Sequence, residues 1–290
     1  MRDRNVSSFN VDEQQITTQH FDAHSAWWYE VYYDETSFTG YGLRKQQAYV
    51  TARLRQRGES LRVLDAGCGA GVVAIALAEA GHNVSGIDIA PRMIERAVQE
   101  AELRGLSCDF RVSSADALPY RDAAFDAVVA MGLLANLPDD RAALREMLRV
   151  LKPGGLLMAT MPNTLALDVL VALPLSFPIM LEGTRLRKPF RMLANVGRRV
   201  TRRPVKPIAT MKPGQSVMPM RYRRVIQAAG YHNVCYTALV FGPLMPFGLL
   251  RPALSTQITF SERFYHLVER ATILRWLGSV IMYEGEKSQS

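Results

Sequence analysis

Cysteine is scarce: Cys68, Cys108 and Cys235 are the only three in 290 residues, and their spacing fits no metal-ligand pattern. A disulfide framework is therefore excluded, and a reducing compartment is expected. No run of about 18 uninterrupted apolar residues occurs, which excludes a membrane-crossing helix from the sequence. The nearest stretch, Leu165 to Leu181, holds Asp168, Pro174 and Pro178. Met1 to Thr18 is polar and has no apolar core of a secretory signal. Acidic residues are missing from one long stretch. Gly183 to Ser261 carries 14 Lys and Arg and no Asp or Glu, while elsewhere 21 basic groups face 27 acidic ones. The net charge of +8 is thus a property of one segment. Such a block expects an anionic partner: a phosphate, an acidic lipid, a carrier protein or a nucleic acid. Nucleic acid is disfavoured, because aromatic residues are not interleaved with the basic block and no nucleic-acid module is appended.

What the chain does have is a glycine-rich turn between a strand and a helix. The run Leu61 to Leu64 ends in Asp65, followed by Gly67, Gly69 and Gly71 and then by the helix-like run Val72 to Ala80. Glycines let the backbone turn sharply and let a ligand approach closely, and the helix start beyond offers free N–H groups. This is the form of a nucleotide-type cofactor site at the end of a first strand. A dinucleotide site requires a third small residue where this chain has Val72. Asp65 would repel a pyrophosphate and attract an ammonium. Both points disfavour a dehydrogenase and favour S-adenosylmethionine (SAM), which has an amino group and no phosphate.

At Val63-Leu64-Asp65-Ala66-Gly67-Cys68-Gly69-Ala70-Gly71 the sequence resembles the class I SAM-dependent methyltransferases, with a ubiquinone-methyltransferase-like core. Ser114-Ala115-Asp116-Ala117-Leu118-Pro119 and Leu151-Lys152-Pro153-Gly154-Gly155 carry the resemblance onward, closely over residues 61–163 and again from Arg221 to Tyr236. It implies an α/β fold, a doubly wound Rossmann-like sheet of seven strands, mostly parallel with a final antiparallel strand. Expected strands are Arg62–Ala66, Asn83–Ile87, Asp109–Val112, Phe125–Met131, Leu156–Met161 and a last one at Gly278–Glu284. Residues 1–60 are expected to form a helical, aromatic cover with a helix over Leu43–Arg57, 61–163 the SAM-binding core, 164–217 an inserted basic and apolar lid, and 218–290 the rest of the core, with a second insertion at 243–275.

The resemblance also implies roles. Asp65, Gly67 and Gly69 would receive the cofactor's methionine end. Asp88, about 20 residues after the glycines, would accept from the ribose hydroxyls. Ile89 or Met93 would pack on the adenosine, Asp116 and Ala117 would meet the adenine, Met131 would face the methionine moiety, and Arg44 would hold the carboxylate. SAM carries its own activated methyl group, so alignment of the nucleophile is the main demand on the protein. No catalytic base is named by the sequence. His24, Tyr29 and Tyr33 are candidates, with His20 and Glu182 beside them. Relatives that methylate ubiquinone precursors tend to place two glutamates and a histidine after the fourth strand. Here Gly132, Ala135 and Asn136 stand there, so no metal site is expected.

The expected activity is methyl transfer to a small amphipathic acceptor. An anionic one, such as a prenyl diphosphate undergoing C-methylation, would use both the aromatic cover and the basic segment. The alternatives are O-methylation of a quinone or polyketide-like phenol, and a non-catalytic protein that binds SAM or docks on membranes. The expected location is cytoplasmic, with peripheral membrane contact left open. The oligomeric state is not legible.

Overall fold

The computed structural model describes residues 18–34, 36–166, 216–242, 253–270 and 276–289. The proposed lid therefore lies almost wholly outside the described residues, as does Glu182. Seven strands form one sheet: β1 (Arg62–Ala66), β2 (Asn83–Asp88), β3 (Asp109–Val112), β4 (Phe125–Ala130), β5 (Leu151–Pro162), β6 (His232–Val240) and β7 (Val280–Glu286). Their spatial order is β3-β2-β1-β4-β5-β7-β6. The first five run parallel, and β7 lies antiparallel between β5 and β6. The order reverses between β1 and β4, and in such sheets the crevice beyond the strand C-termini at that reversal is where ligands sit.

Helices cover both faces, so the central strands read as near-continuous apolar runs. Along the strands, alternate residues serve opposite layers. Leu64, Val128, Leu157 and Tyr283 join the core beneath α5 (Asp140–Val150) and α6 (Pro219–Ala228). Val63, Ala127, Val129, Met158 and Met282 join the core beneath α2 (Phe38–Arg57) and α3 (Val72–Glu79). The remaining helices are α1 (Ser25–Tyr33), α4 (Pro91–Leu103) and α7 (Leu254–Arg270).

Three elements differ from the sequence expectation, two of them for evident local causes. Helix α2 starts at Phe38, five residues before the expected Leu43, because Ser37 caps it: the Ser37 hydroxyl accepts from the Gly40 amide at 3.0 Å. Strand β5 starts at Leu151, not after the Lys152–Gly155 turn. Leu151 pairs with Phe125 and Leu156 with Ala127, so the turn is extra length on one strand. Gly154 at φ +74 makes that turn, and the Gly154 amide donates to the Lys287 carbonyl at 3.0 Å. The last strand is Val280–Glu286, shifted by two residues from Gly278–Glu284.

Helix α2 is core as well as cover, since Val50 and Leu54 are fully buried. Leu54→Ala is expected to cost about 2–5 kcal/mol of global stability, measured by urea unfolding. A loss confined to local fraying of α2 would show it to be an appendage.

Candidate active site

The site is built where the glycine turn meets the end of β2. Gly67, Gly69 and Gly71 all have positive φ, at 72°, 53° and 82°. At Gly67 a Cβ would also fall 2.8 Å from the Leu133 side chain. The turn is fastened to its neighbour strand: the Gly67 and Cys68 amides both donate to the Ile87 carbonyl, at 2.8 and 2.9 Å. Asp88 completes the fastening. Its two carboxylate oxygens accept from the Gly69 and Ala90 amides, each at 2.9 Å. One carboxylate thus fixes two loops and keeps lone pairs for further donors.

Asp65 stands at the second-last position of β1 and is 1% exposed. It accepts from the Ala74 amide, and its Oδ2 is buried without a protein partner. Burial pushes its carboxyl up to about 7, against the Ala74 hydrogen bond, with the nearby Asp88 charge adding to the rise. Burial likewise raises Asp88, against its amide donors. The Cys68 thiol is buried and held well above its ordinary range by burial first and by Asp65 and Asp88 next, so it fills the loop as a neutral side chain.

These residues line a cavity of about 320 Å³. The structure brings Asp65, Gly67, Gly69, Asp88, Ile89, Met93, Asp116 and Met131 to its wall. Ala117 is not on the wall; its amide donates to the Ser114 carbonyl within the turn. Arg44 is not there either, and its guanidinium donates to the Asp34 carbonyl at 3.2 Å. Instead α2 contributes Thr39, Leu43 and Gln46. Their spacing is that of one helix face, legible only once the helix is known to begin at Phe38. On the far side lie Leu133, Asn136, Leu137, Pro138 and Asp139, from the turn after β4, with Thr160, Met161 and Pro162 from β5. The Thr160 hydroxyl accepts from the Gly132 amide at 2.9 Å and shapes that turn. Among the described wall residues there are four aspartates and no Lys, Arg or His.

Of the proposed catalytic candidates, His20, His24 and Tyr29 do not line this cavity. His24 Nδ1 donates to the His20 carbonyl at 2.9 Å, and the two rings stack at 4.5 Å. The Tyr29 hydroxyl donates to Glu100, and Arg96 lies 5.3 Å from its ring centre. The Tyr33 side chain lies outside the described residues. Among the described residues of that part of the chain, Phe21 alone reaches the wall. No group of three or more His, Cys, Asp and Glu is placed to hold a metal ion among the described residues.

Residues 64–159 match a family model described as a methyltransferase domain. Over that stretch the chain is similar to SAM-dependent methyltransferase domains. Over 105 residues it is 47% identical to a ubiquinone biosynthesis O-methyltransferase of Methylocella silvestris, covering 36% of this chain and 41% of that protein. Over 146 residues it is 37% identical to one of the same name from Xanthomonas axonopodis pv. citri, covering 49% and 60%. The chain thus spans about half the length of the curated relatives it matches. Two solved structures share the methyltransferase fold across nearly the whole chain. The (4+2)-cyclase SpnF has a TM-score of 0.60 at 19% identity, covering 96% of this chain and 97% of that one. Magnesium protoporphyrin IX methyltransferase from Synechocystis, with bound SAM, has 0.59 at 16%, covering 98% and 100%. Identities this low speak for the fold alone, and the cyclase shows that a methyltransferase fold does not by itself name a reaction.

The methyltransferase cofactor fits these residues. Asp65 offers a buried carboxylate oxygen without a partner among the described residues, and Gly67 and Gly69 line the cavity without side chains. The raised Asp65 carboxyl gives a pH signature. It titrates near 3.8 when unfolded and about 7 when folded. Between these values the folded state holds a proton that the unfolded state has lost, so stability from this group falls as pH rises from 4 to 7 and is flat above. Asp65→Asn is expected to remove that slope and to weaken SAM binding at pH 8 by about 10–100-fold. Calorimetric titration and pH-dependent unfolding measure both; unchanged affinity would remove Asp65 from the cofactor site.

Proposed function

We propose that this protein transfers the methyl group of SAM to a small amphipathic acceptor. The observation that carries the reading is the unpartnered, buried carboxylate oxygen of Asp65 facing a glycine-lined cavity. A buried carboxylate needs a cationic or hydrogen-bonding partner, and an ammonium group supplies it. Asp88 has lone pairs left for a vicinal diol, Ile89 and Met93 offer apolar packing for a flat base, and Asp116 at the exposed rim can accept from an amino group. When bound, the cofactor supplies an electrophilic methyl on a sulfonium. The chain's part is to hold the acceptor in line, through Leu43, Leu133, Leu137, Pro162 and the remaining apolar wall, and to keep water out.

The acidic wall favours an acceptor whose reacting end is uncharged. O-methylation of a phenol with an apolar tail fits this wall and the names of the curated relatives. C-methylation of a prenyl diphosphate is the second reading, and what favours it is the acid-free basic segment of the sequence. Its head group would sit outside the described wall. A peripheral contact with lipid would use exposed residues that follow the end of β5. Val217 donates to the Pro162 carbonyl at the cavity edge, and Met218, Met220 and Trp276 are exposed, at 50%, 66% and 38%. The exposed Arg221, Arg223 and Arg224 follow on α6, a composition suited to an anionic membrane surface. No helix among the described residues is long and apolar enough to cross a membrane.

Incubation with methyl-labelled SAM and a small-molecule extract separates the readings. Label that partitions at once into the organic phase is expected for a phenol. Label that does so only after phosphatase treatment would mean a phosphate head. No transfer to any extract, with SAM bound, would leave a binding protein.

A further inference from the structure

Helix α2 carries a second stripe beside its cavity face. Every fourth residue, Tyr41, Lys45, Tyr49, Arg53 and Arg57, reaches an acidic side chain of the C-terminal part of the chain. The Tyr41 hydroxyl donates to Glu262 Oε1 and Lys45 Nζ to Glu262 Oε2, both at 2.6 Å. The Tyr49 hydroxyl and Arg53 Nε donate to the two oxygens of Glu284, both at 2.8 Å. Arg57 Nη1 donates to Glu286 at 2.7 Å. Glu284 and Glu286 project from one face of β7, two residues apart, while Glu262 comes from α7.

The first rung differs from the others. Tyr41 and Lys45 interleave with the cavity residues Thr39, Leu43 and Gln46 on the same two turns. Lys45 is enclosed: its ammonium lies 4.0 Å from the Tyr265 ring centre and its side chain is 14% exposed. A helix gripped at one stripe can neither roll nor slide, so the grip sets where the adjacent stripe points. The far rung, Arg57 with Glu286, is 14 residues from Leu43, about 21 Å along the helix.

We infer that Glu262 is a positioning residue: through Tyr41 and Lys45, helix α7 sets the Thr39–Leu43–Gln46 wall against the bound cofactor. The inference rests on the methyltransferase reading of the cavity. It gives α7, which falls in the expected second insertion, a role in retaining ligand at a site it does not itself line.

The test uses S-adenosylhomocysteine and two matched variants. Glu262→Gln removes the charge of the near rung and Glu286→Gln that of the far rung. Each loses one partly exposed ion pair, so similar stability losses are expected. The dissociation rate of S-adenosylhomocysteine is expected to rise about fivefold in Glu262→Gln, with an unchanged association rate, and to stay within twofold in Glu286→Gln. Glu262→Asp, which keeps the charge, is expected to recover part of the loss. Equal rate changes in the Gln variants, or a Glu262→Gln rate within twofold of wild type, would overturn the inference. Wild-type protein that shows no saturable binding would overturn the cofactor reading instead. Hydrogen exchange in the first two turns of α2 would then decide the role of Glu262: faster exchange in Glu262→Gln than in Glu286→Gln supports it, and equal exchange refutes it. Lys45→Gln serves as the partner variant if Glu262→Gln does not fold.

Discussion

The site depends on how two carboxylates are held at neighbouring strand ends. Asp88 spends one oxygen on the Gly69 amide and the other on the Ala90 amide, so the turn after β1 and the turn after β2 move as one piece. Asp65, one strand over, is sealed in with an oxygen that no described residue satisfies. The protein bears the cost of that unsatisfied group in the folded state, and a cation in the cavity would relieve it. The same arrangement explains why the glycines must be glycines: the turn closes on Ile87 and on Leu133 with no room for a side chain at Gly67.

Everything else supports or encloses this pair. The sheet order puts the strand C-termini of β1 and β4 at the reversal, so the crevice follows from topology before any side chain is considered. The turn after β4 and the end of β5 form one wall, and α2 forms another. Helix α2 is tied to residues more than two hundred positions away in sequence, its cavity turns to Glu262 and its later turns to Glu284 and Glu286. The last strand therefore does more than close the sheet: Glu284 and Glu286 anchor the later turns of α2.

The central architecture was legible because strands, turns and helices there announce themselves locally. The runs ending in Asp65 and Asp88, the glycine turn, and the Pro91 start of α4 each carry their own signal. What the sequence hid was either long-range or a matter of phase. The start of α2 rests on Ser37 capping, and Arg44 came from the resemblance alone, while the face carrying Thr39, Leu43 and Gln46 is the one that lines the cavity. The Lys152–Gly155 turn reads as a break, yet its backbone is tied to Lys287 and stays within the strand. Tyr41 and Lys45 acquire their partner only when α7, more than two hundred residues on, is placed beside them. Asp116 was recognisable by its neighbours, whereas Ala117, equally well placed in the motif, turns its amide into its own loop.

The most direct test of the whole account is a crystal structure with S-adenosylhomocysteine bound. The account predicts its amino group on the carboxylate of Asp65 and its ribose hydroxyls on Asp88, with the base between Met93 and the Asp116 turn. A ligand whose amino group points away from Asp65, or one bound outside the cavity between the glycine turn and α2, would contradict it.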